Sequence, residues 1–292
     1  MIGTRQQRRR LLSRVVSLSA CLIFLSLLFS GCGTGTSGSA ATATPSPVTL
    51  KVFAAASLKG AFTKIGTQFT ALYPNVTFSF NFAGSDALAA QINQGAPADV
   101  FASANNKQMG VAVTGGQIDS SAIQVFAHNR LVVVVPTSNP GNIHTLQDLA
   151  KPGVKIVLAA KTVPAGQYAL QFLTQASADP SFGSAYQANV LKNVKSYQPD
   201  VTSVLTQVGL GQADAGIVYT TDAATQPTTL TTIAIPDNLN VIATYPIAPV
   251  KGTKTASTAQ QFVSYVVSSA GQSVLASFGF LSATAGPGYS AG

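Results

Sequence analysis

Cysteine, histidine and glutamate are nearly missing from this 292-residue chain. Both cysteines, Cys21 and Cys32, lie in the N-terminal segment, which leaves the rest without a disulfide, a cysteine nucleophile or a cysteine–histidine metal site. The two histidines, His128 and His144, fall near loop signals, and we expect both to be structural or on the surface. All nine acidic residues are Asp, and no pair has the spacing of a calcium-binding loop. These gaps remove most of the common catalytic and metal-binding groups.

Charge is also scarce, and it is unevenly placed. Charged residues make up 9% of the chain and apolar residues 46%, which is typical of a globular protein rather than a disordered one. The formal net charge of +8 would suggest nucleic acid, but five of the 17 basic residues are arginines near the N-terminus. The other basic residues are scattered, so we predict no nucleic-acid partner.

Residues 1–31 are predicted to be an export signal. Basic residues up to Arg14 precede the apolar run 15–29, which is shorter than the roughly 20 residues of a membrane-spanning helix. Small residues before Cys32 resemble a bacterial lipoprotein signal, so we expect Cys32 to be the lipidated first residue of the exported chain. An uncleaved anchor and a twin-arginine export route are the alternatives. Residues 32–47, rich in Gly, Ser, Thr, Ala and Pro, are predicted to be a flexible tether.

The folded body is predicted to begin near Val48, with a strand at 52–55 that leads directly into a helix. Ser57 stands at the expected N-cap, ahead of apolar residues at helical spacing. A junction of this kind presents free N–H groups and a hydroxyl, which together attract anions. Similar strand-to-helix turns occur at Ser85, at Ala165 and at Val201, and the strand predicted at 214–219 ends on the hydroxyl of Tyr219.

Alternation of strands and helices predicts an α/β fold with a mostly parallel sheet and helices on both faces. Ligands bind such sheets at the carboxyl ends of the strands, so the four turns, two per lobe, are expected to meet at one cleft. The apolar run 131–135 is the expected crossing into a second lobe, and 241–250 the expected return. We therefore predict lobe 1 from residues 48–128 and 248–292, and lobe 2 from residues 129–247.

Six short segments resemble the molybdate-binding proteins of bacterial ABC importers and occur in that family's order. They are V-F-A-A-A-S-L at 52–58, F-A-G-S at 82–85, Q-G-A-P-A-D-V-F at 94–101, V-P-A-G at 163–166, D-A-G-I-V-Y at 214–219 and F-G-F at 278–280. The resemblance covers residues 48 to about 280. It implies a periplasmic-binding-protein-like type II fold, in which two α/β lobes joined by two crossing strands close on the ligand.

The resemblance also implies a binding site without a counter-charge. The residues that match the family's site are Ser57, Ser85 and Tyr219, which would donate from hydroxyls, and Ala165 and Val201, which would donate from backbone N–H groups. The same five residues would hold the metal oxyanion. A fully deprotonated tetrahedral dianion such as molybdate or tungstate accepts hydrogen bonds only, so donors of these types suit it.

The function implied is an extracytoplasmic solute-binding protein that captures molybdate and tungstate for an ABC importer, without enzymatic activity or a resident cofactor. Its implied partners are the ABC permease and, through lipidated Cys32, the membrane. We expect a monomer in the periplasm or on the outer face of the cytoplasmic membrane.

Two departures from the family and two alternatives accompany this interpretation. A-A-K-T at 159–162 stands where the family usually has a Gly-Asp-Pro-type turn. Gly84 replaces the hydroxyl residue that the family commonly has before the second serine, which removes one donor. A receptor for sulfate, phosphate or another small oxyanion is the alternative of the same class. An exported serine hydrolase that uses Ser57 or Ser85 is the alternative of a different class, but it lacks a base near either serine in the sequence.

Overall fold

Two mixed β-sheets organise residues 46–284, the part of the chain that the computed structural model describes. The expected export signal, Cys32 and nearly all of the expected tether lie outside these residues. The strands are β1 (Val48–Ala55), β2 (Val76–Ala83), β3 (Val100–Ala102), β4 (Gln124–Asn129), β5 (Leu131–Pro136), β6 (Ile156–Ala159), β7 (Val194–Gln198), β8 (Ala215–Tyr219), β9 (Leu230–Ala234), β10 (Ala243–Pro249) and β11 (Leu281–Ser282).

Nine α-helices accompany these strands within residues 46–284. They are α1 (Lys59–Leu72), α2 (Ser85–Asn93), α3 (Asn106–Thr114), α4 (Pro164–Ala178), α5 (Tyr186–Asn193), α6 (Val201–Gly209), α7 (Thr220–Ala223), α8 (Ala256–Val267) and α9 (Ser269–Ser277). The C-terminal region forms two helices, α8 and α9, because Ser268 lies between them and caps α9 by accepting a hydrogen bond from Gly271 N–H. None of the described helices combines the length and the apolar character needed to cross a bilayer.

The first sheet has the order β11-β4-β10-β3-β1-β2, and the second has the order β7-β6-β8-β5-β9. Strands that a helix connects pair in parallel, as β1 does with β2 and β3, and β6 with β7 and β8. Strands β4, β5 and β10, which flank the two crossings between sheets, pair antiparallel. The expectation of a mostly parallel sheet was therefore wrong for both lobes, because the strand that follows each crossing runs opposite to its neighbours in the sheet.

The chain crosses from the first sheet to the second at Arg130, between β4 and β5, within two residues of the expected boundary. It returns before Ala243, because β10 already pairs with β4 and β3 of the first sheet. The expected returning segment 241–250 contains β10, whereas the lobe boundary expected at residue 248 is about five residues too late. Residues 243–247 belong to lobe 1, and the two lobes are built on the two sheets.

Strand β1 explains why the first sheet has helices on both faces. Leu50, Val52 and Ala54 point to one face and pack with the α1 and α8 aromatics, whereas Phe53 points to the other and packs with α2 and α3. This period-two alternation of buried apolar residues is what a fully covered strand requires. The carboxyl end of β1 is thereby fixed from both sides, and it delivers Ser57 to the edge that faces the second lobe.

Candidate functional site

All five residues expected at the site line one small cavity between the two sheets. Its lining residues include Ser57, Ser85, Ala165, Val201 and Tyr219. None of its lining residues is Lys, Arg or His. The expected convergence of strand-to-helix turns is therefore present in the described part of the chain, and the cavity offers neutral donors rather than a cation.

Ser57 reaches the cavity differently from what the sequence predicted. It lies in a short 3₁₀ turn (Ala56–Leu58) that precedes α1, and its side chain caps neither the turn nor the helix. Its hydroxyl instead lies 3.0 Å from the hydroxyl of Tyr245 on β10. The N-cap prediction was wrong, because a tertiary partner takes the side chain that a local cap would have used.

Ser85 is the first residue of α2 and is almost fully buried. Its Oγ accepts a hydrogen bond from the backbone N–H of Ala104, at 3.0 Å. A hydroxyl has one hydrogen to donate, so this bond uses an acceptor site and leaves the Ser85 hydrogen available. The bond to Ala104 holds the Ser85 side chain in place and leaves its hydrogen to donate.

Ala165 and Val201 each occupy the first turn of a helix of lobe 2. Pro164 is the first residue of α4, where its missing N–H costs nothing, and Ala165 follows it. Val201 opens α6 directly after Asp200, whose side chain accepts from Ser203 N–H at 2.7 Å. The N–H groups of a first helical turn have no intrahelical acceptor, and the helix dipole adds positive potential there. Two helix N-termini thus face the same cavity.

Tyr219 ends β8 and is completely buried, with a hydroxyl that has no hydrogen-bond partner within residues 46–284. Burial raises the pKa of Tyr219 well above its usual value, so the hydroxyl keeps its proton. Its ring packs edge-on against Tyr245 and Tyr168, with centroids 5.8 and 6.5 Å away. Because Tyr219 lines the cavity, its protonated hydroxyl is a donor there.

Asp200 lines the cavity, and two further buried carboxylate oxygens, Asp86 Oδ1 and Asp222 Oδ2, have no hydrogen-bond partner within residues 46–284. Asp200 is engaged as the N-cap of α6. Asp222 in α7 is buried, and burial raises its pKa to about 7. Burial therefore favours the neutral form of the Asp222 carboxyl group, which carries no charge to repel an anion.

The two lobes touch closely around this cavity. Gly84 lies so near lobe 2 that a Cβ atom there would be 2.5 Å from the carbonyl oxygen of Pro199. Across the same interface, Gln108 Nε2 donates to the carbonyl oxygen of Thr162 at 2.9 Å, and Asn105 Nδ2 donates to Gln167 Oε1 at 3.2 Å. The missing hydroxyl residue at 84 is explained by lack of room in this closed arrangement.

The histidines lie elsewhere, as the sequence predicted. His128 on β4 lies 3.3 Å from both the carbonyl oxygen of Ala283 and the hydroxyl of Thr244, and exposed His144 contacts Asn142. Neither histidine lines the cavity, and within the described residues no group of three or more His, Cys, Asp or Glu side chains could bind a metal ion. The serines therefore have no histidine base beside them.

Sequence reasoning missed the polar residues that support the site from behind or clamp the lobes together. These are Asn105, Gln108, Asn129 and Tyr245, all of them buried. Asn105 lies between β3 and α3 and caps α3, so a strand-to-helix signal was available there. Tyr245 and Asn129 lie in β10 and β4, whose sequences carry no such signal.

Comparison with known proteins gives consistent matches over the folded body. The profile of the bacterial extracellular solute-binding protein family matches residues 50–281. The molybdate-binding protein ModA of Mycobacterium tuberculosis is 40% identical over 232 residues, which cover 80% of this chain and 84% of the relative. ModA of Escherichia coli is 32% identical over 237 residues, covering 79% and 88%.

Solved structures agree on the fold. The substrate-binding domain attributed to a molybdenum ABC transporter of Clostridium difficile is 30% identical and matches with a TM-score of 0.59, covering 80% of this chain and 98% of that one. The periplasmic molybdate-binding protein of Azotobacter vinelandii, at 22% identity, matches with a TM-score of 0.68 over 80% and 98%. At that identity the second match shows the fold alone.

Two α/β lobes that enclose a small polar cavity define a binding protein of the type II periplasmic fold, which confirms the predicted fold class. With the matches above, the chain belongs to the bacterial extracellular solute-binding protein family. The resemblance drawn from the six segments is confirmed by the same matches.

Proposed function

We propose that this chain is the extracytoplasmic receptor that captures molybdate, and also tungstate, for an ABC importer. One observation carries the proposal: three hydroxyls and two helix N-termini meet at one small cavity whose lining contains no cationic side chain. The names of the relatives, ModA among them, support the same ligand class.

The donors explain why a fully deprotonated oxyanion is the preferred ligand. Ser57, Ser85 and Tyr219 supply hydroxyl donors, and Ala165 and Val201 supply backbone N–H donors. A charged acceptor strengthens each of these bonds, and the dipoles of α4 and α6 add favourable potential. The proton-bearing hydrogen phosphate needs an acceptor as well, and among the lining residues only Asp200, whose Oδ1 already accepts from Ser203 N–H, carries a carboxylate.

Size is proposed to separate molybdate and tungstate from sulfate, which has the same charge and shape but shorter bonds. The two N–H donors are fixed by helix backbones, and both serines are fixed by hydrogen bonds to Tyr245 and Ala104. Rigid donors on both lobes cannot all follow a smaller anion inward, so sulfate would leave some of them unsatisfied. A sulfate receptor is the less favoured alternative for this reason.

Further parts of the proposal concern location and partners. Lipidation of Cys32 would hold the receptor at the outer face of the cytoplasmic membrane, next to the permease that accepts the anion. The receptor is proposed to act as a monomer, without catalysis and without a resident cofactor, since the oxyanion is cargo. The absence of a base beside either serine speaks against a serine hydrolase.

Calorimetric titration of the full-length chain with molybdate, tungstate, sulfate and phosphate tests the proposal. We expect tight binding of the first two and weak binding of the others. Molybdate at a hundred times its dissociation constant should stabilise the protein by about 2.7 kcal/mol in a melting assay. Preference for sulfate or phosphate would move the specificity within the class, and failure to bind all four would overturn the receptor proposal.

A further inference from the structure

Tyr245 stands directly behind the site but is not among the residues that line the cavity. It lies on β10 of lobe 1, its side chain is fully buried, and its hydroxyl is 3.0 Å from Ser57 Oγ. Either oxygen of this pair could be the donor on distance alone. The direction of the bond matters, because it decides whether Ser57 has a hydrogen left for an anion.

Asn129, the last residue of β4, favours one direction. The backbone N–H of Arg130 can only donate, and it lies 2.9 Å from Asn129 Oδ1, with the Thr220 hydroxyl 3.1 Å from the same oxygen. The amide is thereby oriented, and its Nδ2 donates to Thr221 Oγ1 at 2.8 Å and to the Tyr245 hydroxyl at 3.4 Å. The Tyr245 oxygen thus accepts from Asn129, and its own hydrogen can be donated to Ser57 Oγ.

We propose that Tyr245 is a positioning residue that fixes Ser57 as a hydrogen-bond donor to the bound anion, an inference that rests on the proposed function. The chain of donation runs from Asn129 Nδ2 to Tyr245, from Tyr245 to Ser57, and from Ser57 into the cavity. Successive bonds with one direction polarise each other and strengthen the last donor. The Ser57 hydrogen is then directed away from Tyr245.

Ser85 shows the same arrangement with a different supporting group. Its Oγ accepts from the backbone N–H of Ala104, which can only donate. Each serine thus has one acceptor site filled by a group of lobe 1 and one hydrogen left to donate. A ligand that only accepts hydrogen bonds is favoured at both positions, whereas a ligand that carries a proton has only the one remaining acceptor site of each hydroxyl. The supporting groups thus favour unprotonated oxyanions.

The test is the full-length Tyr245→Phe variant, titrated with tungstate and with phosphate at neutral pH, where phosphate carries at least one proton. Without the Tyr245 hydroxyl, Ser57 recovers its acceptor and its hydrogen is no longer directed. We expect tungstate affinity to fall about tenfold, as the weakening of one bond to a charged acceptor predicts, while phosphate affinity does not fall. The matched control is Tyr186→Phe, which removes another buried hydroxyl, bonded to the carbonyl oxygen of Leu146 in lobe 2. This control should leave both affinities unchanged.

A double-mutant cycle separates positioning from a direct or general structural role. If Tyr245 acts through Ser57, adding Tyr245→Phe to Ser57→Ala costs no further tungstate affinity. An equal loss of tungstate and phosphate affinity in Tyr245→Phe, or full additivity with Ser57→Ala, would overturn the proposal. Failure of the unmodified chain to bind tungstate would instead overturn the proposed function.

A second variant keeps the test decisive if Tyr245→Phe does not fold. In Asn129→Asp the side chain cannot donate, so the Tyr245 hydrogen turns towards the carboxylate and its oxygen can accept from Ser57. The ratio of tungstate to hydrogen phosphate affinity should again fall about tenfold, because the added charge repels both dianions alike. An unchanged ratio in a folded Asn129→Asp variant would refute the inference.

Discussion

At Gly84, one added carbon atom is expected to hinder closure of the lobes without lowering the stability of the fold. A Cβ atom there would lie 2.5 Å from the carbonyl oxygen of Pro199, on the opposite lobe, and 2.7 Å from Asp86 Oδ1. Ordinary van der Waals contact begins at 3.4 Å, so Gly84→Ala requires the lobes to move apart by about 0.9 Å. The backbone of Gly84, with φ of −58° and ψ of 136°, suits alanine without strain.

The cost in affinity follows from which donors lie on which lobe. Ala165, Val201 and Tyr219 belong to lobe 2, so a shift of about 0.9 Å lengthens their bonds to an anion seated on lobe 1. A donor near 2.9 Å would move beyond the usual limit of a hydrogen bond. Loss of a single bond to a charged acceptor costs about 1.5–3 kcal/mol, which corresponds to roughly 10- to 100-fold in the dissociation constant.

We expect Gly84→Ala to bind molybdate about 10- to 100-fold more weakly, while its melting temperature without ligand stays near that of the unmodified protein. Calorimetric titration and thermal melting of the full-length chain measure the two quantities. Gly110→Ala is the control, because no atom lies within 4 Å of the Cβ it would add. Binding by Gly84→Ala within twofold of the unmodified chain would refute the idea that this contact limits closure.

Three further substitutions test separate features of the site. Ser85→Ala removes one donor and leaves the Ala104 N–H without its acceptor. Molybdate affinity, measured by titration, should fall about tenfold or more, and the free energy of unfolding, measured with urea, should fall by about 1–3 kcal/mol. Unchanged affinity would exclude Ser85 as a contact. Gln108→Ala removes the hydrogen bond to Thr162 between the lobes and should raise the rate of ligand release about 2- to 10-fold, with little change in the association rate. Stopped-flow kinetics measure both rates. A change confined to the association rate would contradict a role for this bond in holding the lobes together. Asp222 has a folded-state pKa of about 7, above its unfolded value of 3.8, so the folded state holds a proton that the unfolded chain loses and wild-type stability falls as pH rises between these values. Asp222→Asn should abolish this decline and raise the free energy of unfolding above pH 7 by up to about 4 kcal/mol over wild type. Urea unfolding at several pH values measures this difference. Parallel pH profiles of the variant and the wild type would show that the carboxyl group is not buried as described.

The strands were predictable wherever burial on both faces forces a continuous apolar run. Strand β5 is such a case, since all six of its residues are buried and the sequence there is Leu, four Val and Pro. Strand β4 was not predicted, because Gln124–Asn129 has only Val, Phe and Ala as apolar residues and His and Asn close to its end. Helix α3 was missed for a similar reason: it buries only Gln108, Met109 and Ala112, which is too weak a periodic pattern.

The cavity residues were predictable because helix starts and strand ends leave local marks in the sequence. Pro164 before Ala165 and Asp200 before Val201 are helix-start signals that need no tertiary information. The partner of Ser57 could not be predicted in this way, since Tyr245 lies 188 residues further along the chain. The direction of that bond depends in turn on Asn129, on a third strand. Contacts of this kind are decided by sheet order, which local patterns do not encode.

The division of donors between the lobes gives the proposed receptor a mechanical route to release. Ser57 and Ser85 are fixed to lobe 1, and Ala165, Val201 and Tyr219 to lobe 2, so separating the lobes removes three of five donors at once. A lysine in the cavity would follow the anion on its flexible stem and hold it through such a motion, and it would also attract sulfate and phosphate without discrimination. Short hydroxyls and backbone N–H groups cannot follow, because each is fixed to a strand end or a helix start. The affinity for the anion therefore depends on the distance between the lobes. A permease that pulls the lobes apart would release the anion without a competing ligand.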